Sequence, residues 1–152
     1  MHHTFLTLLP ELTTYANQED QSNPEVSKAS VYRHIDHIYR STVNMVDSLE
    51  HSDPTQYQRS FNPIKHLVLR IGALPRGKAQ TPSHLLHTET IDSSSLEQRQ
   101  HKARNAYKQI DWFDTHAHFT AEKFASFNRD QTKRFVDIHA YHHIKIIRDI
   151  LH

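Results

Sequence analysis

Apolar residues recur at helical spacing in four stretches of the chain. Phe5, Leu6, Leu8, Leu9, Leu12 and Tyr15 predict a first helix. Proline fits only the first turn of a helix, so Pro10 sets the expected range at about Leu9 to Ala16. Asn17 to Glu25 is polar linker. Val31, Ile35, Ile38, Thr42, Met45, Val46 and Leu49 mark a second helix, capped by Ser27 or Ser30 and ending near His51. Residues 52 to about 92 hold no long periodic segment. The run Ile64, Leu67, Val68, Leu69, Ile71 fits a short helix or an extended strand. A third helix opens on a capping box, Ser94 to Glu97, carries Leu96, Ala103, Ala106, Ile110 and Phe113, and ends near Asp114. A connector with His116 and His118 follows. Asn128, with Gln131 placed to return the hydrogen bond, caps a last helix that runs to Leu151. The sum predicts an all-α fold over residues 1–152, one domain. It is an antiparallel four-helix bundle with a long connection between helices 2 and 3.

The last helix carries the candidate chemistry. Its apolar face centres on the arc through Phe135, His139, His143, Ile146 and Ile150. Two imidazoles, one turn apart, therefore sit inside an apolar stripe, with His142 at its edge. A buried neutral imidazole needs partners for one donor and one acceptor. A lone one commonly finds them in polar groups or water, but a stacked pair converges on one point and suits a divalent metal. Metal sites in bundles draw ligands from facing helices, and the second helix presents His34 and His37 one turn apart. By helical angle His34 lies nearer the apolar stripe. Three histidines with coordination positions left open are the catalytic pattern, whereas structural zinc is closed.

Composition narrows the choices. The chain has 152 residues, enough for one domain with a core, and a net charge of +1 with its 15 histidines neutral. That balance gives no basic footprint for nucleic acid. There is no cysteine, so there are no disulfides, and any metal must be held by His, Asp or Glu. Only Gly72 and Gly77 are glycines, which excludes Gly-rich phosphate loops. No apolar run approaches the roughly 20 residues that span a bilayer. The start, MHHTFLTLLPEL, lacks a basic n-region and a small-residue cleavage site, so no signal peptide is expected and the location expected is cytoplasmic. Arg76, Gly77 and Lys78 form a turn with two cations, a solvated loop or an anion-gripping lip.

Three segments also resemble known proteins: VSKASVYRHIDHIYRS (26–41), FNPIKHLVLRIGALPRGKAQTP (61–82) and FVDIHAYHHIKIIRDIL (135–151). They are similar to the DinB/YfiT-like superfamily of metalloenzymes, in particular a branch of small bacterial proteins, from roughly Ser27 to the end. The resemblance implies a four-helix bundle and a divalent cation, Ni or Zn. It implies metal ligation by His139 and His143, the ends of the superfamily's terminal H-x-x-x-H, with His142 as the intervening histidine. Its remaining ligand is a second-helix histidine followed four residues later by a small residue. His37 has Ser41 at that offset and His34 has Ile38, so the resemblance favours His37. The chain departs from this branch at Arg33, where relatives carry tryptophan, and at Ala117 and Thr120, where they carry Pro and Gly.

Two function classes follow. The first is a metal-dependent enzyme, which the resemblance implies is a thiol-dependent transferase or hydrolase acting on a small molecule with a low-molecular-weight thiol, often as a homodimer. Asp137, Tyr141 and His142 are its candidates for a separate base. The second is a non-catalytic helical bundle whose histidines form a metal-free polar cluster or hold a structural metal.

Overall fold

The computed structural model describes residues 2–76 and 90–152. Its described elements are helices α1 (Phe5–Ala16), α2 (Val31–His51), α3 (Pro63–Ile71), α4 (Ser93–Gln109) and α5 (Arg129–Leu151). A hairpin of β1 (His118–Ala121) and β2 (Ala125–Asn128) precedes α5. The fold is mostly helical. No helix among the described residues is long and apolar enough to cross a membrane.

Local sequence explains each helix start. Thr4 caps α1 in a reciprocal pair with Thr7, Ser30 caps α2, and Asn62 caps α3 with Pro63 in the first turn. Asn128 and Gln131 form the expected capping box of α5. The cap of α4 is Asp92, whose side chain accepts from the Ser95 N–H at 2.7 Å. The expected Ser94–Glu97 box therefore lies inside the helix, because a carboxylate two residues earlier takes the free donors. Helix α1 starts at Phe5 rather than near Leu9, and Pro10 lies within it. Proline in a helix interior costs about 3 kcal/mol. Here Phe5, Leu8, Leu9 and Leu12 on one buried face offset that cost.

Helices α1 and α2 each pack on both α4 and α5, and the shared core holds Phe5, Leu12, Ile35, Ile38, Leu49, Ile110, Ile144 and Ile147. All seven apolar-stripe residues read from the sequence of α2 are buried. Arg148 grips Glu11 with two parallel hydrogen bonds of 2.8 and 2.9 Å, tying α5 to α1.

The long connection is not structureless. It contains α3, and the apolar run resolves to a short helix. Part of the run turns outward: Ile64, Leu67 and Ile71 are exposed, as is the preceding Phe61, whereas Val68 is buried. Its anchor is Lys65, whose buried ammonium donates to the carbonyls of Ser60 (3.1 Å) and Ser126 (2.9 Å). Gly77 and Lys78 lie outside the described residues.

The connector before α5 also departs from expectation, since it folds into the antiparallel hairpin, with Phe119 opposite Phe127. Phe127 is fully buried and stacks on Phe135 of α5 at 4.9 Å. The hairpin packs on α2 and α5, the two helices that carry the candidate ligands.

Candidate metal centre

Helix α5 is turned from its expected orientation. Its buried arc runs through Val136, Ala140, His143 and Ile147, so His143 lies inside and His139 sits half-buried at the edge. The cause is that α5 is covered by α1, α2, α3 and the hairpin together, not by one neighbour. On α2, both His34 and His37 are buried.

The four rings meet in two pairs. His37 Nε2 lies 3.1 Å from His139 Nε2, and His34 Nδ1 lies 2.9 Å from His143 Nδ1. The pairing order, 34 with 143 and 37 with 139, shows that α2 and α5 run antiparallel here. The His143 ring centre is 4.6 Å from that of His37 and 4.7 Å from that of His139. One ring nitrogen from each of His37, His139 and His143 falls within 4.8 Å of the others. His34 lies beyond that triplet, behind His143.

The spacing can be judged against coordination chemistry. Two nitrogens on a tetrahedral ion at 2.0–2.1 Å sit about 3.3 Å apart. The 3.1 Å His37–His139 separation is close to that, and at the wider limit of 4.8 Å the donors must draw together around an ion. Three neutral nitrogen donors suit zinc or nickel.

Burial keeps the inner rings neutral. His143 is held well below the ordinary histidine range, first by burial and then by the neighbouring His139, His37, His34 and His142. His34 falls to about 4, mainly by burial with a contribution from His142. His142 also falls to about 4, by burial and then by the charges of Lys145 and Arg76. A neutral ring keeps the lone pair that a metal requires.

Supporting contacts differ between the rings. Ser41 Oγ lies 3.4 Å from His37 Nδ1, which gives the small residue at the +4 offset a physical role. Ser27 Oγ lies 2.9 Å from His34 Nε2. Ser27 is thus a partner of a histidine, not the cap of α2, a contact seven residues away that no sequence signal marks. Phe135 of α5, one turn from His139 with its ring centre 6.2 Å away, is packed on its other side by Phe124 and Phe127 of the hairpin region.

The candidate bases separate. Asp137 is buried on another side of α5, where Oδ1 accepts from the Phe5 N–H and the Tyr107 hydroxyl, both at 2.8 Å. Burial raises its carboxyl above the ordinary range. Tyr141 stacks on His3 at 4.3 Å. His142 alone borders the cluster, 5.2 Å from His143, and its buried Nδ1 has no hydrogen-bond partner among the described residues. Arg76, half of the expected anion lip, is paired with Asp149 at 2.5 Å.

Asp137 is therefore expected to matter for folding and not for metal. Asp137→Ala strands two buried donors and should lower stability by about 3 kcal/mol, whereas Asp137→Asn keeps Oδ1 and should cost about 1 kcal/mol or less. Urea unfolding of both variants, with zinc titration of each, checks this. A loss of metal binding in well-folded Asp137→Asn would contradict it.

Comparison of the chain with family models, with curated proteins and with solved structures gave no match.

Proposed function

We propose that the chain is a divalent-metal enzyme of the DinB/YfiT-like type, built on that superfamily's four-helix bundle. It would be a transferase or hydrolase that acts on a small molecule with a low-molecular-weight thiol. The observation that supports this reading is the convergence of His37, His139 and His143, three buried or half-buried nitrogen donors within 4.8 Å, two of them on one H-x-x-x-H helix. The angle that favoured His34 and the offset that favoured His37 then describe two roles. His37 is the ligand and His34 stands behind His143.

Three protein ligands leave room for substrate. A divalent ion held there supplies Lewis-acid chemistry, favouring the deprotonated, nucleophilic form of an oxygen or sulfur donor near neutral pH. The chain's own residues do the rest. His139, half-buried, forms the outer edge, while His37 and His143 are buried. His143 closes the inner side. Phe135, backed by Phe127 of the hairpin, places an apolar ring beside His139. His142 stands beside His143, and the burial and nearby cations that hold it neutral make it a poor acceptor for a proton at neutral pH.

The paired hydrogen-bond distances favour one rival. His37 with His139 and His34 with His143 satisfy one another in the absence of metal, as a purely structural polar cluster would. Thermal melts separate the two readings. Our reading expects chelator to lower the melting temperature of metal-loaded protein, and a screen of small thiols to raise it further when metal is present. A chelator effect with no response to any thiol fits a structural metal, and no response to either fits the metal-free cluster.

A further inference from the structure

We infer that His34 is a positioning residue that, with Ser27, holds His143 in the tautomer a metal needs, with the proton on Nδ1 and the lone pair on Nε2. The inference rests on the metal reading above and adds a role for two residues outside the ligand set.

The contacts form one line. Ser27 Oγ takes the backbone N–H of Ala29 at 3.2 Å and lies 2.9 Å from His34 Nε2; His34 Nδ1 lies 2.9 Å from His143 Nδ1. Each His–His or Ser–His contact carries one proton, so the line has two settings. In one, Ser27 donates to His34 Nε2, His34 Nδ1–H donates to His143 Nδ1, and His143 is left with a proton on Nε2. With Nδ1 taken up by His34, Nε2 is the nitrogen left for an ion, and that proton would bar it. In the other, His143 Nδ1–H donates to His34 Nδ1, and His34 Nε2–H donates to Ser27 Oγ. A serine oxygen has two lone pairs, so it can accept from His34 and Ala29 together. Only this setting frees His143 Nε2 for a metal.

Metal-bound histidines almost always donate the other ring N–H to a carboxylate, a carbonyl or water. Here the acceptor is a neutral imidazole. Unlike a carboxylate, it adds no negative charge, so an ion in the site would keep more of its Lewis acidity. His34 is only 3% exposed, so water does not substitute for it.

The test uses the full chain and Zn2+ alone. His34→Leu should weaken zinc binding by about 10–100-fold, the usual effect of removing such a partner. His34→Asn, which carries Oδ1 in place of Nδ1, should recover most of that loss. Ser27→Ala should weaken binding less than His34→Leu does. Long-range proton–nitrogen NMR of the zinc-loaded protein should show His34 protonated on Nε2 and His143 on Nδ1. Zinc affinity unchanged in His34→Leu would overturn the inference. So would loss of stoichiometric zinc in His34→Asn alongside its retention in His37→Ala, which would make His34 a ligand. A His34 proton on Nδ1 would overturn it as well. If the wild-type chain takes up no zinc, the metal reading fails, and the same spectrum of the protein as purified still reads the His34 tautomer.

Discussion

His143→Ala is expected to weaken zinc binding by more than about 100-fold, beyond what loss of an outer partner costs. His143 is buried and in ring contact with His37, His139, His34 and His142. Its loss removes one leg of the site and leaves His37 and His139 to bond with each other. His139→Ala should act in the same direction, and the double variant should hold no stoichiometric metal. Zinc titration with circular dichroism as a folding control measures this. One ion per chain in the folded double variant would place the site elsewhere.

The second large effect is acid lability. His34 and His143 have folded-state values well below the ordinary 6.5, because burial disfavours the charged ring. The unfolded chain therefore binds more protons than the folded one as pH falls from about 6.5 towards 4, and stability falls with it. Their contribution is fully present above pH 6.5. Each ring that must stay neutral costs about 1.4 kcal/mol per pH unit in that window, so the two together approach about 3 kcal/mol per unit. Between pH 6.5 and 4 to 5 that is a loss of at most roughly 4–7 kcal/mol, against an ordinary domain stability of about 5–15 kcal/mol. Asp137 works in the opposite sense, since its raised carboxyl favours the folded state when protonated, but it is one group against two. His142, half-buried and also lowered to about 4, adds to the histidine side. Urea midpoints from pH 7.5 to 4.5 should drop steeply below 6.5. A flat profile would mean that these rings are solvated or already charged in the folded state. His34→Asn should flatten the curve, because it removes one of the rings.

Much of this was legible in the chain. The stripe of α2 and the capping box of α5 gave their elements correctly, because long amphipathic periods and side-chain caps are local signals. The H-x-x-x-H spacing fixed His139 and His143 on one face for the same reason. Three features were not legible. Pro10 hid the first turn of α1, since propensity argues against a proline that tertiary burial tolerates. The hairpin was missed because its strands are four residues long and their period-2 pattern is too short to stand out. The rotation of α5 was missed because periodicity shows that a face is apolar, not how many neighbours cover it. The roles of His34 and His37 could not be separated by angle alone. Both are buried, and only the partner across the interface, His143 or His139, distinguishes them.

The most direct measurement is the metal content of the purified chain and of its single-alanine variants, each reloaded with zinc and desalted. The account predicts about one ion per chain in the wild type and none in His37→Ala, His139→Ala or His143→Ala, with all four proteins folded. An ion retained at full stoichiometry in those variants, or none in the wild type, would contradict it.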